Sequence, residues 1–261
     1  MNSGPLDFIP LWLFLPLSMA LCMALLEGGY LLGHWRHARA AGEKNEPVAA
    51  MAASILGLLA FILAFTFSMA STRFDARRQA VLEESNAIGT TYLRTRLLPE
   101  PLRSESAQLL RRYTEDRIKK LTPESIAELI PESEAIHEEL WSRAVAASEL
   151  DPRSVMTSLY LQSLNETIDM HARRVSAGLH SRIPLTIWVT LFSLTLLSML
   201  SVGYMAGLSA TRRSLEMPIL VLAFSGVLYL IVDLDRAYEG LLRVNQTAMI
   251  NLYETMQVDA K

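Results

Sequence analysis

The sequence contains only one cysteine, Cys22, in 261 residues. A single cysteine excludes an intrachain disulfide and any metal site built from several cysteines. His34 and His37 would share one face of a helix, but two imidazoles are too few ligands for a zinc site. We therefore predict that the protein carries neither a metal nor another cofactor.

The motifs that mark common enzyme classes are also missing. The sequence has no glycine-rich phosphate loop, no nucleophile elbow and no zinc-binding helix signature. The net charge of −3 gives no basis for nucleic acid binding, which is typical of basic surfaces. We predict that the protein is not an enzyme and that it binds no nucleic acid.

Charge is almost absent from four long stretches of the sequence. Hydrophobic residues make up 51% of the chain, and many fall in blocks near residues 8–33, 48–71, 183–209 and 217–232. A helix needs roughly 20 apolar residues to cross a bilayer, and lipid offers its backbone no hydrogen-bond partner. We therefore predict an all-α fold with four transmembrane helices and a helical extramembrane bundle between the second and third spans.

The first apolar block follows a segment, residues 1–7, that contains no Lys or Arg. A cleaved signal peptide begins with a positively charged region, so we interpret the first block as a retained membrane helix. The prediction places spans one and two in residues 1–71, an extramembrane domain in 72–182, spans three and four in 183–235, and a C-terminal tail in 236–261.

Two junctions between membrane and extramembrane segments are predicted to be continuous helices. No proline or glycine interrupts AFTFSMASTRFDARR at residues 64–78, so the second span should continue out of the membrane. The last extramembrane helix, from about Pro152, should run into the third span near Ile183. Pro184 would then lie in the first membrane turn or at a kink.

An even number of spans places both termini and the extramembrane domain on one side of the membrane. We expect a multi-pass protein of the cell inner (plasma) membrane. The short loops on the opposite side carry five basic residues, which by the positive-inside rule would make that side cytoplasmic: Arg36, Arg39, Lys44, Arg212 and Arg213. The extramembrane domain also has arginines close to the membrane, so the charge count leaves the orientation open.

Glu27 is the only charged residue in the first block. A charge inside the bilayer costs about 2.5–3.5 kcal/mol on insertion scales, and intramembrane carboxylates often handle ions or protons. One interpretation of Glu27 is therefore an ion- or proton-handling group. The other is a structural hydrogen bond with Ser201 or Tyr204, which lie at a similar predicted depth.

Small residues recur at a helical spacing in three of the predicted spans. Gly28, Gly29 and Gly33 in the first span would let a neighbouring helix, or water, approach closely. Gly203 and Gly207 in the third span form a second pair of small residues suited to close packing. The second span has a longer stripe of small residues, at Ala53, Gly57, Ala60, Ala64 and Ser68, which Ser71 continues. One interpretation is tight helix packing along this stripe. The other is a pore wall, in which the small face is packed and a face with phenylalanines or Thr66 lines a constriction.

The pore interpretation of the second span assigns a constriction to named residues. Apolar side chains can close a pore by dewetting, and the span offers aromatic rings beside small hydroxyls. The candidate constriction residues are Phe61, Phe65, Thr66 and Ser68.

Charged residues follow the second and fourth spans on the same side of the membrane. The second span is followed by three predicted pore-mouth charges, Arg73, Asp75 and Arg77. The fourth span is followed by three residues predicted to pair between helices and fix their register, Asp233, Asp235 and Arg236. Alternatively, both groups are interfacial anchors in the headgroup region.

Three segments together resemble the bacterial bestrophin-like membrane protein family. They are EGGYLLG, LGLLAFILAFTFSMASTRFDARRQAVLEESNAIGTTYLRTRLLPEP and DLDRAYEG. The layout of the chain is more distantly similar to bestrophin anion channels. The resemblance implies a homo-oligomer, a pentamer, whose pore is lined by the second span, and it implies a cytosolic extramembrane domain.

Two functions from different classes are consistent with the sequence. The first is an oligomeric, bestrophin-like ion channel whose partners are the lipid bilayer, small inorganic ions and further copies of the chain. The alternative is a membrane scaffold or sensor without a pore, whose helical bundle binds a protein through the acidic run at residues 124–139.

Overall fold

A computed structural model describes residues 4–39, 45–119, 123–179, 181–209, 215–236 and 240–259. Within these ranges the chain forms eight α-helices and no strand, which confirms the predicted all-α fold. The helices are α1 (Leu11–Arg39), α2 (Asn45–Arg94), α3 (Leu102–Ile118), α4 (Pro123–Leu150), α5 (Val155–Leu179), α6 (Leu185–Leu208), α7 (Glu216–Asp235) and α8 (Thr247–Val258). A short 3-10 turn, Thr95–Leu97, follows α2.

Four of the helices are long and apolar enough to cross a bilayer. They are α1, the apolar part of α2, α6 and α7, which match the four predicted blocks. Helix α2 is one unbroken α-helix of 50 residues, so the predicted continuation of the second span is confirmed. At 1.5 Å per residue it extends for about 75 Å, more than twice the hydrocarbon thickness of a bilayer.

The predicted continuous helix from α5 into the third span is wrong. Helix α5 ends at Leu179, and residues 181–184 are not helical. Pro184 has extended backbone angles (φ −57°, ψ 143°) and directly precedes the first residue of α6. Its ring disfavours helical geometry at the preceding residue, Ile183, whose N–H instead donates to the Asp235 carboxylate at 2.9 Å.

The chain divides into two compact units. Unit 1 comprises Met1–Arg73 with Arg182–Leu242, and unit 2 comprises Phe74–Ser181 with Arg243–Lys261. In unit 1, Cys22 and Leu26 of α1 form a buried core with Met199 of α6 and Val221 of α7.

Helices α1 and α6 of unit 1 cross through four glycines. A Cβ atom on Gly203 would lie 2.0 Å from the carbonyl oxygen of Leu26, and one on Gly29 would lie 2.3 Å from that of Leu200. Gly33 and Gly207 repeat this contact one turn further along. Any larger residue would push the two backbones apart, so the predicted close approach of a neighbouring helix is confirmed at Gly29 and Gly33. A Cβ atom on Gly28 would meet no other atom within 4 Å, so this glycine takes no part in the crossing.

Unit 2 is a helical bundle with its own apolar core. The core takes buried side chains from α2, α3, α4, α5 and α8, among them Ile88, Leu110, Leu140, Leu164 and Met249. Helix α8 lies against α2, where Ser85 donates a hydrogen bond to the Ala248 carbonyl at 3.0 Å. Helix α8 contributes Met249 and Met256 to this core, and full burial of such a side chain contributes about 1.5–3 kcal/mol.

Candidate functional site

The part of helix α2 that belongs to unit 1, up to Arg73, has one packed face and one open face. The packed face consists of buried residues at helical spacing, namely Ala52, Leu59, Leu63, Thr66 and Ala70. On the opposite side, Gly57, Ala60, Ala64 and Ser68 are exposed. A Cβ atom on Gly57 would meet no other atom within 4 Å. The small-residue stripe of α2 therefore makes no helix contact within the single chain, which differs from the prediction that the small face is packed.

Two phenylalanines flank this open stripe. Phe61 is 67% exposed and Phe65 is 57% exposed, although both are large apolar side chains. We define the outward face of α2 as Gly57, Ala60, Phe61, Ala64, Phe65 and Ser68. Three of the four predicted constriction residues lie on this face.

Thr66, the fourth predicted constriction residue, lies on the packed face. It is fully buried, and its hydroxyl donates to the Ile62 carbonyl at 2.7 Å. Its position follows from helix geometry, because each residue advances an α-helix by about 100°. Thr66 is two residues from both Ala64 and Ser68, so its side chain points to the opposite side of the helix.

The outward face of α2 differs in composition from the other exposed faces of unit 1. The exposed side chains of α1 and α7 are mainly large and aliphatic, as expected for contact with lipid chains: Leu13, Leu17, Leu21, Leu31, Leu32, Ile219, Leu222 and Leu230. The outward face of α2 instead consists of small residues, two aromatic rings and a serine. Small residues at exposed positions are typical of helix contacts or of walls that surround water.

The three predicted pore-mouth charges lie on different sides of α2. Asp75 is exposed, whereas Arg77 is only 5% exposed and its guanidinium lies 6.0 Å from the ring centre of Phe74. Arg73 is half-buried, with one terminal nitrogen shielded from solvent. Asp75 is therefore directed outward, and the two arginines are on the packed side.

The residues at the C-terminal end of α7 join three parts of unit 1. Asp235 accepts the Ile183 N–H and lies 3.7 Å from the Arg182 guanidinium, which also bonds Asp7 at 2.9 Å. Arg236 donates to the carbonyls of Leu6, at 2.9 Å, and of Ile9. These bonds tie the end of α7 to the start of α6 and to the segment before α1.

Asp233 shapes the turn after α7. Its carboxylate accepts the N–H groups of Leu241 at 2.9 Å and Leu242 at 3.2 Å. Gly240 has a positive φ of 120°, and a Cβ there would lie 1.9 Å from a carboxylate oxygen of Asp233. Only glycine fits between this carboxylate and the returning backbone.

Glu27 lies half-buried on α1, two residues before Gly29. A Cβ on Gly29 would lie 2.9 Å from the amide nitrogen of Tyr204, so the glycine crossing brings Glu27 to the level of Tyr204 and Ser201. The prediction that these residues share a depth agrees with this geometry. Both interpretations of Glu27, ion-handling or structural, remain predictions.

Comparison with known proteins identifies the family. The Bestrophin-like domain matches residues 19–249 of this sequence. The chain belongs to the bestrophin-like family. It is a membrane protein by this membership and by its four apolar helices.

Solved structures support the same fold for this bestrophin-like chain. A point mutant of a bacterial bestrophin homolog from Klebsiella pneumoniae has a TM-score of 0.67 at 14% identity, covering 95% of this chain and 98% of that one. A second structure of the homolog from this organism has a TM-score of 0.64 at 15% identity, covering 96% and 98%. No curated protein sequence matches the chain.

Unit 2 of the bestrophin-like chain contains a buried polar cluster that sequence reasoning missed. We name it the Glu84 cluster, and its members are Glu84, Tyr113, Arg117, His137, His171 and Arg174. The Glu84 carboxylate accepts the Tyr113 hydroxyl at 2.7 Å. It also pairs with Arg117 at 3.0 Å and with Arg174 at 2.5 Å. One carboxylate thereby joins α2, α3 and α5.

The protonation states in the Glu84 cluster follow from burial and charge. Burial raises the pKa of Glu84, but Arg174, Arg117 and the Tyr113 hydroxyl outweigh it and bring the pKa to about 2. Burial lowers the pKa of His137 to about 4, and burial together with Arg117 lowers that of His171 to about 3. Both imidazoles are therefore neutral near pH 7, which suits a structural role.

A signal for this cluster was present in the sequence. Val81 and Ile88 recur at a seven-residue step on the core side of α2, and Glu84 lies between them at the same helical face. A carboxylate at a core position requires buried cations, and Arg117 and Arg174 supply them.

Proposed function

We propose that this bestrophin-like protein is an oligomeric channel for small ions, with the outward face of α2 lining its pore. The observation that carries the proposal is the composition of the outward face of α2. Its side chains are small, aromatic or hydroxyl-bearing, whereas a helix face in contact with lipid favours large aliphatic side chains. Family membership adds support, because the fold agrees with the bestrophin homolog structures.

Oligomerisation is part of the proposal, since one helix face cannot enclose a conduit. Several copies arranged around an axis would bring their α2 helices together, and the small residues would let the helix backbones approach each other closely. Phe61 and Phe65 would then form the constriction, where apolar rings exclude water until the pore widens. Ser68 would offer hydroxyl groups to a passing ion. A pentamer is the expected assembly, by the family resemblance.

Thiol accessibility during ion flux tests this pore. In a Cys22→Ser background, which removes the only native thiol, Phe65→Cys and Ser68→Cys channels in liposomes should lose most of their ion flux on reaction with a water-soluble thiol reagent. Thr66→Cys is the matched control on the packed face, and Leu32→Cys is the control on an aliphatic face. Neither control should respond.

Two results would contradict the proposal. If the purified wild-type protein passes no small cation or anion under any gradient or pH, it is not a channel. If flux occurs but Thr66→Cys and Leu32→Cys react as strongly as Ser68→Cys, the outward face of α2 does not line the path.

A scaffold without a pore is the second candidate function. It is favoured by exposed apolar residues on α4 of unit 2, where Trp141, Val145 and Leu150 face solvent. Such a surface is suited to binding a protein partner. A mass measurement in native lipid separates the two candidates, because a monomer or dimer offers no axial pore and would favour the scaffold.

A further inference from the structure

An apolar groove runs along α1 in unit 1, with one residue of α6 at its side. Its volume is about 560 Å³, and it is lined by Gly28, Leu31, Leu32, Trp35 and Leu200. Leu31, Leu32 and Trp35 are exposed, so the groove opens away from the chain and towards the lipid. All five lining residues are apolar, which makes a hydrocarbon chain the ligand that suits it.

Gly28 forms the groove without taking part in the packing of α1 on α6. Gly29 and Gly33 are needed for that crossing, whereas a Cβ atom on Gly28 would meet no other atom within 4 Å. Glycine inside a helix costs about 1 kcal/mol relative to alanine. Within the single chain, the missing side chain at Gly28 leaves only the groove to account for it.

The end of the groove is basic. The Arg39 guanidinium lies 4.0 Å from the centre of the Trp35 ring, and the last turn of α1 also carries Arg36 and His37. Residues 28–39 contain no Asp or Glu. Gly28 and Arg39 are about 16 Å apart along the helix axis, within the depth of about 20 Å of one leaflet with its headgroups. The groove and the guanidinium are therefore spaced as the acyl chain and the phosphate of one lipid.

The opposite end of α1 provides a comparison. Trp12 is 75% exposed there, but residues 1–12 contain no Lys or Arg, and Trp12 does not line the groove. A tryptophan at a membrane interface is by itself an anchor. Trp35 differs from Trp12 because an apolar groove and a guanidinium both adjoin its ring.

We propose that this groove binds one anionic glycerophospholipid, with an acyl chain over Gly28 and the phosphate beside Arg39. Basic groups at the membrane surface attract anionic headgroups, and the Trp35 ring holds the guanidinium at the end of the groove. The inference is independent of the proposed pore, because the groove is formed by α1 and α6 and not by the outward face of α2.

Native mass spectrometry of the purified protein, mixed with equal amounts of phosphatidylglycerol and phosphatidylcholine, tests the groove. The wild-type protein should retain several-fold more phosphatidylglycerol. Gly28→Leu fills the groove and should lose most of this lipid, while its fold is kept because the new side chain meets open space. Gly226→Leu is the matched control on α7, since a Cβ there also meets no atom within 4 Å, and it should bind as the wild type does.

The headgroup contact is tested by a change of charge. Arg39→Gln should bring the ratio of the two retained lipids close to one, because the acyl chain is still bound but the phosphate is no longer recognised. Arg153→Gln removes an exposed arginine from unit 2 and should leave the ratio unchanged.

Tryptophan fluorescence locates the lipid in a bilayer. Bromine on an acyl chain quenches a tryptophan that it contacts. In phosphatidylcholine vesicles with a small fraction of brominated phosphatidylglycerol, Trp35→Phe should show much less quenching than the wild type, and Gly28→Leu should resemble it. Trp12→Phe should be quenched as the wild type is. Added inorganic phosphate should not reverse the quenching, because the acyl chain holds the lipid in place.

Four results would overturn the lipid site. They are equal retention of the two lipids by the wild type, retention of phosphatidylglycerol by Gly28→Leu, equal quenching of the wild type and Trp35→Phe, and full reversal by inorganic phosphate. Equal quenching would mean that lipid does not reach Trp35, as when another copy of the chain covers the groove, and reversal would indicate a site for free anions. All four leave the proposed channel in place, whereas a protein without ion current would overturn the channel and leave the lipid site.

Discussion

The two compact units of this protein are stabilised by different means. In unit 1, α1 and α6 meet at Gly29, Gly33, Gly203 and Gly207, where backbone lies directly against backbone. In unit 2, an apolar core surrounds the Glu84 cluster, in which one carboxylate is bonded by two arginines and a tyrosine. The difference follows from the solvent, because lipid provides no hydrophobic drive between helices and close packing must replace it.

The largest expected effect is at the glycine crossing of unit 1. Gly203→Leu should prevent α1 and α6 from packing, since even a Cβ at this position would lie 2.0 Å from the Leu26 carbonyl oxygen. We expect a loss of more than about 4 kcal/mol, enough to abolish recovery of folded protein. Size-exclusion chromatography after detergent extraction measures it. Recovery of a normal monodisperse particle would show that the crossing is not essential.

Replacement of Glu84 by Gln is the corresponding change in unit 2. It removes the only carboxylate of the cluster and leaves Arg117 and Arg174 buried without it, at a cost of about 3–5 kcal/mol. Hydrogen exchange of the α3 and α5 amides should accelerate accordingly. Glu83→Gln, next in sequence and paired with Arg173 at a partly exposed site, should cost less than about 1 kcal/mol. Equal effects of the two changes would contradict the assignment.

Acid should weaken unit 2 through its histidines. The folded pKa values of His137 and His171, about 4 and about 3, lie below the value of about 6.5 for an unfolded chain. The unfolded state therefore binds more protons below pH 6.5, and stability is full above that pH and falls as pH decreases towards 4.

The expected loss at pH 5 is on the order of 1–2 kcal/mol for each histidine. Hydrogen exchange of unit 2 amides at pH 7.5 and pH 5, corrected for intrinsic rates, measures the loss. His137→Gln should remove part of the pH dependence. Glu84, with a folded pKa of about 2, loses its contribution only as pH falls from about 4 through 2, outside this window. A pH-independent protection pattern would contradict the prediction.

The smallest expected effect is at Gly57, on the outward face of α2. Gly57→Ala meets open space and gains helix propensity, so the single chain should be as stable or more stable by up to about 1 kcal/mol. Thermal unfolding of the purified protein checks this. A strong loss of stability would show that the outward face is tightly packed against another copy, which is the packing interpretation of the stripe.

Much of the fold was predictable because lipid permits few structures. Long apolar blocks must be helices, and the lack of proline or glycine between residues 64 and 78 correctly predicted one continuous α2. The junction of α5 and α6 was mispredicted because Pro184 was treated as tolerable in a first turn. The Pro184 ring disfavours helical geometry at Ile183, and the Asp235 carboxylate that binds the Ile183 amide could not be placed there from sequence.

The candidate site was only partly predictable. The sequence predicted Phe61, Phe65, Thr66 and Ser68 as constriction residues, and the periodicity of α2 alone could have separated Thr66 from the other three. The burial of Arg77 and the half-burial of Arg73 opposite Asp75 needed the structure, because composition counts charges without showing how far each is covered. The Glu84 cluster needed it as well, since its members come from four helices.

The turn after α7 also constrains how these sequences can diverge. Asp233 leaves no room for a side chain at Gly240, and the φ of 120° there would strain any other residue even if the acid were lost. The glycine should therefore be retained more strictly than the acid, and a relative that replaces it should be rare whether or not it keeps the acid.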